Sequence, residues 1–236
     1  MRPTFRPGAL LAALALLGCG TTGGTGGPDR ALPAGLEDAA AGVVTVWSRT
    51  DGRAPARLGA GWRAEGDVLV STVMGLRCPS EQAASGASLS LTRVIAYEPG
   101  GTDTSCSYAA PGPRGAVVTV YATRAPGRTP LGLFEEATAS IAQVFGDLEA
   151  VPLKGFPPGS VSGTGHVAGY ALPAGRGPAP LAKPYDRVTA VWTVSADGTH
   201  VKARATYPAD EARAEEVATG LVSEAAADVL GPQPTV

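Results

Sequence analysis

The spacing of apolar residues switches from strand to helix period twice along this chain, and that alternation limits what it can fold into. Runs rich in β-branched and aromatic residues come first, at 43–49 (VVTVWSR), 57–63, 67–74, 89–97, 104–108 and 116–123. Phe134, Ala137, Ile141, Val144, Phe145 and Leu148 then recur at helical spacing, the stripe of an amphipathic helix. The plan repeats: 163–172, 187–195 and 199–207 read as strands, and Ala214, Val217, Ala218, Leu221, Ala225 and Val229 mark a second helical face.

Such a stripe must be buried against another element, and strands joined by short connections pair antiparallel. The expected class is therefore α+β: an antiparallel β-sheet with two amphipathic helices packed on it, ordered as β-meander, helix, strands and C-terminal helix. The punctuation agrees. Gly and Pro supply 53 of 236 residues, which implies many turns and short elements. Ala64-Glu65-Gly66 joins the 57–63 and 67–74 strands, and Asp197-Gly198 is a strong hairpin dipeptide. Thr129-Pro130 offers an N-cap and a first-turn proline, with Glu135 and Glu136 suited to the positive helix start. The second helix is expected from Asp210, after Pro208, to Gly231-Pro232, and a short helix around 36–41 precedes the first strand. In pattern alone, this order is similar to the PsbP-like α/β sandwich; no residue motif accompanies the similarity.

Ahead of the domain, Arg2 and Arg6 precede the apolar run from Ala9 to Leu17. Basic, then apolar, then small is the order of a secretory signal peptide, and the run is too short to span a bilayer. Its end, Leu16-Leu17-Gly18-Cys19, resembles the lipobox of bacterial lipoproteins, with Leu17 where Ala or Ser is more usual. The resemblance implies a diacylglycerol on the Cys19 thiol, cleavage before Cys19 and acylation of the new amino terminus. Several acyl chains hold a protein at a membrane surface, each buried CH₂ contributing about 0.8 kcal/mol. In a diderm cell with the usual sorting system, Gly20 implies passage to the outer membrane, facing the periplasm. Residues 20–30 (GTTGGTGGPDR) read as a tether of roughly 15–20 Å mean span. The organisation is thus a signal peptide at 1–18, a lipidated linker at 19–30 and a single α+β domain at 31–236.

Assigning Cys19 to lipid leaves Cys78 and Cys106, and an even pair in an exported chain reads as a disulfide. It would close a loop of about 29 residues, with a chain-entropy stabilisation of about 3.5 kcal/mol. Without Arg2 and Arg6 the chain carries 17 basic against 21 acidic residues, with no block of like charge. Nothing in that balance points to nucleic acid.

Catalytic sets are absent from the pattern. Gly59-Ala60-Gly61-Trp62 and the strand after it resemble the opening of a trypsin-like protease domain. On that match Val73 stands where the histidine belongs, and valine cannot take a proton from serine. Gly159 to Gly163 lacks G-x-S-x-G spacing, and Gly163 to Gly169 misses G-x-G-x-x-G by one residue and enters a strand. His166 and His200 have no partner at metal-ligand spacing and read as surface residues. Asp103, Glu65 and Asp67 read as turn acids. Trp47, Trp62, Trp192, Tyr170 and Tyr207 read as core, and Lys202, Arg204 and His200 as the solvent side of a strand. No catalytic residue, metal or cofactor is assigned. The expected role is a non-enzymatic envelope lipoprotein serving structure, assembly or protein interaction, with the membrane and an envelope protein as partners. The alternative is a lipoprotein that binds a small or hydrophobic ligand between sheet and helices, and a cavity of several hundred Å³ would favour it.

Overall fold

The computed structural model describes residues 44–48, 61–84, 87–98, 100–112, 114–157, 160–178, 181–211 and 213–231. Cys19, the linker, the helix expected at 36–41 and the first part of the 57–63 strand lie outside them. The elements run β1 (Val44–Ser48), β2 (Trp62–Glu65), β3 (Val68–Ser71), β4 (Arg77–Pro79), β5 (Glu81–Ala84), β6 (Ala87–Ala96), β7 (Asp103–Ala109), β8 (Val117–Arg124), α1 (Pro130–Phe145), β9 (Ala150–Val151), β10 (Thr164–Leu172), β11 (Arg187–Ala196), β12 (Thr199–Pro208) and α2 (Ala214–Leu230).

The fold is α+β, with two antiparallel sheets in place of the single one expected. The main sheet has nine strands: eight along the path β1-β6-β7-β8-β12-β11-β10-β9, and β5, which pairs with β6 off that path. β1 and β5 share one edge of β6, opposite Arg93–Ala96 and Ala87–Ser90. Two meanders, β6-β7-β8 and β9-β10-β11-β12, meet where β12 pairs with β8. The second sheet, β2-β3-β4, is a small meander. Of the residues that resemble a protease opening, Trp62 and Val68–Ser71 lie in its β2-β3 hairpin, and Gly59 and Ala60 lie outside the described residues.

Period-two alternation divides the main sheet into two faces. In β11, Ala190, Trp192 and Val194 enter the larger core with Val217, Leu221 and Val222 of α2. Val191 points the other way and packs with Ala137, Ile141 and Phe145 of α1. The helices therefore lie on opposite faces. The small sheet shares the α2 side through Trp62, Leu69, Leu76 and Cys78. Cys78 of β4 and Cys106 of β7 form the disulfide that ties the two sheets together, with Cα atoms 6.0 Å apart.

Local chemistry sets the helix ends. The Thr129 side chain accepts from Gly132 N at 3.1 Å, and Pro130 opens α1 as expected. Glu135 and Glu136 fall beyond the first turn, so they do not complement the dipole there. Gly146 stops the helix before Leu148, which still packs beneath it. At that end Arg176, from the loop after β10, donates to Phe145 O at 2.8 Å and brings a cation to the negative end of the helix. α2 begins at Ala214 rather than Asp210, because Pro208 to Glu211 is taken up by a turn that closes with Glu211 N on Pro208 O. Glu215 and Glu216 lie in its first turn.

Candidate functional site

β12 sits at the centre of the main sheet. Its Val201, Ala203, Ala205 and Tyr207 enter the larger core, and the alternate residues His200, Lys202, Arg204 and Thr206 face the α1 side. α1 packs on β10 and β11, leaving the stretch from β12 to β6 as the other half of that face. Register brings Tyr121 of β8 beside Lys202, Ser105 of β7 beside Tyr121, and Asp103 beside Thr123.

The aromatic and charged side chains there are half-buried and packed on one another. Tyr97 stacks on Tyr121 with ring centres 6.1 Å apart and planes 25° from parallel. Lys202 Nζ lies 4.2 Å from the Tyr121 ring centre, and the Arg204 guanidinium lies 5.8 Å from that of Phe145 at the end of α1. The Tyr97 hydroxyl bonds Ser105 Oγ at 3.1 Å, and Thr123 donates to Asp103 at 2.9 Å. Neither Lys202 nor Arg204 has a salt-bridge partner among the described residues.

Desolvation governs the ionisation of this face. Burial pushes the Lys202 ammonium below the ordinary lysine value, while the Asp103 charge acts in the opposite sense. Burial raises the Asp103 carboxyl, opposed by the Thr123 hydrogen bond, and raises the phenols of Tyr97 and Tyr121. Asp103 and Glu136 act on Lys202 without bridging it, so a carboxylate or phosphate arriving between Lys202 and Arg204 would supply the direct ion pair that both lack among the described residues. Alternate residues of one strand stand about 6–7 Å apart, within reach of a single anionic group. Tyrosine and arginine are also the residue types that concentrate binding energy in protein interfaces.

The histidines differ from expectation. His200 is only 6% exposed, not a surface residue, and its Nδ1 lies 2.7 Å from Ser195 Oγ across the β11-β12 pair. Ser195 is equally enclosed, so the pair braces the end of the hairpin and presents no nucleophile to solvent. Sequence reading missed this partnership, although the register about Asp197-Gly198 places the two residues opposite each other. His166 is half-buried and stacks on Phe134 of α1 at 5.2 Å. Trp62, Trp192 and Tyr207 are core residues as expected, and Tyr170 packs at the edge of the cluster under α1. The side chain of Trp47 lies outside the described residues.

The glycine-rich stretch at 163–169 has a packing role. A side chain at Gly165 would meet the Phe156 ring at 2.9 Å, and one at Gly169 would meet Leu153 at the same distance. These glycines in β10 let the 152–157 segment lie against the sheet. No helix among the described residues is long and apolar enough to cross a membrane. Searches of family models, curated proteins and solved structures give no match to this chain. The lipobox and PsbP-like resemblances therefore rest on sequence pattern alone.

Proposed function

We propose that this chain is a lipid-anchored protein of the cell envelope that works by holding a protein partner, not by catalysis. Cys19 carries the lipid, residues 20–30 space the domain from an outer membrane whose periplasmic side it faces, and the α1 side of the sheet meets the partner. The observation that carries the binding part is the pair Lys202 and Arg204, without a salt bridge among the described residues, beside the stacked Tyr97 and Tyr121. The partner this surface suits is a protein segment bearing carboxylates. A carboxylate of the partner would offset, by direct Coulomb attraction, part of the desolvation cost that the domain carries at Lys202.

The test separates anchor from surface. Cys19→Ser should lose label from a radioactive fatty acid and leave the membrane fraction. Lys202→Glu with Arg204→Glu should stay in the membrane and lose a partner that cross-linking recovers with the native protein. A Cys19→Ser protein retained in the membrane would overturn the anchor. An unchanged cross-linking pattern in the double variant would overturn the surface.

A further inference from the structure

The α2 side of the main sheet holds a second feature, independent of the surface proposed above. Between α2, the small sheet and the main sheet lies a solvent-open pocket of about 240 Å³. Its walls are apolar, with Leu76 and Val68 from the small sheet, Val120 from β8 and Leu221 from α2. At its mouth stand Glu224 and Asp228, one helical turn apart on α2 and both exposed.

Three further observations set the chemistry. Tyr108 lines the pocket and is only 2% exposed, yet its hydroxyl makes no hydrogen bond among the described residues. The oxygen is not among the fully enclosed polar atoms, so its unused hydrogen-bonding capacity opens onto the pocket, where an entering group can reach it. Arg77 is the cation of the lining; it pairs with Glu65 at 2.8 Å, a carboxylate that Arg63 also bridges, and its charge acts on Asp228 as well, so one cation stands against the two carboxylates of α2. Gln82 donates to Glu224, whereas Asp228 has no hydrogen bond or salt bridge among the described residues. The pocket therefore combines an apolar interior, an unused phenol and an excess of negative charge at its entrance.

We propose that this pocket binds a small organic ammonium ion with a short apolar body. The ammonium rests between Glu224 and Asp228, the body lies on Leu76, Val68 and Leu221, and the inner end reaches the Tyr108 hydroxyl. The volume falls below the usual range for drug-sized ligands, which limits the occupant to a metabolite-sized amine.

Tyramine, whose far-end phenol can hydrogen-bond the Tyr108 hydroxyl, is the probe, and 2-(4-hydroxyphenyl)ethanol is its neutral counterpart of nearly equal shape. Binding to the detergent-solubilised full chain is followed by saturation-transfer NMR and titration calorimetry. The ammonium should bind saturably and at least about tenfold more tightly than the alcohol, since one well-placed charge contact is worth that much. Glu224→Gln with Asp228→Asn alters exposed side chains and should fold normally, and it should erase the difference between the two probes. Tyr108→Phe should weaken ammonium binding severalfold with thermal unfolding unchanged. The proposal is overturned if no saturable binding occurs, if the alcohol binds as well as the ammonium, or if the double variant binds undiminished.

Discussion

The two faces of the main sheet are built from the same strands and do different work. The α2 face is closed by a helix, a second sheet and a disulfide, and it holds Trp192, Leu89, Leu91, Val94 and Val201 nearly out of solvent. The α1 face has one helix over β10 and β11, and beyond it carries Tyr97, Tyr121, Lys202 and Arg204. One side excludes water by filling space. The other holds charge at a desolvation cost. In β12 the division runs residue by residue.

Substitutions on each side should expose that asymmetry. The largest loss is expected for Trp192→Ala, which empties the centre of the α2 face and should cost about 3–5 kcal/mol in denaturant unfolding. Trp192→Phe should cost much less, because the indole Nε1 has no hydrogen-bond partner among the described residues to lose. Equal losses in the two variants would show that volume does not govern this core. Next comes Cys78→Ser with Cys106→Ser, expected to lower stability by about 2–5 kcal/mol and to loosen the small sheet before the main one. Hydrogen exchange checks the order: β2 to β4 should lose protection first. On the α1 face Thr129→Ala removes a cap and should cost only about 1 kcal/mol, with exchange rising in the first turn of α1. If that loss matched the Trp192→Ala value, the two faces would be equally critical to stability.

Much of this plan was legible in the chain. The run from Arg187 to Tyr207 announces a hairpin because Asp197 and Gly198 adopt positive φ of 49° and 73°, as a tight two-residue turn requires. The stripes of α1 and α2 were visible because helical periodicity persists over several turns. Strands β4, β5 and β9 were not, since two to four residues carry no measurable period. The β2-β3 hairpin was legible from its turn, but its separation as a small sheet closed by β4 was hidden. Alternation in β12 correctly assigns residues to faces, yet it says nothing about what packs above them. Hence Lys202 looked solvent-facing, and only the tertiary approach of Tyr121 shows it half-buried. Arg176 at the end of α1 was unreadable for the same reason, being far along the chain from the carbonyls it serves.

The pairing of β8 with β12 has a consequence in time. The strand at the middle of the sheet is the last one made. A chain that emerges from its amino terminus can assemble β6-β7-β8, but the free edge of β8 waits until residues 199–208 arrive. Until then Val118 and Val120 lie beside an open row of backbone donors and acceptors, with α2 not yet present to cover them. Assembly is therefore held back until nearly the whole domain is available, and then it closes from the centre. For a chain exported as proposed above, that strand order would delay closure of the sheet until nearly all of it has crossed.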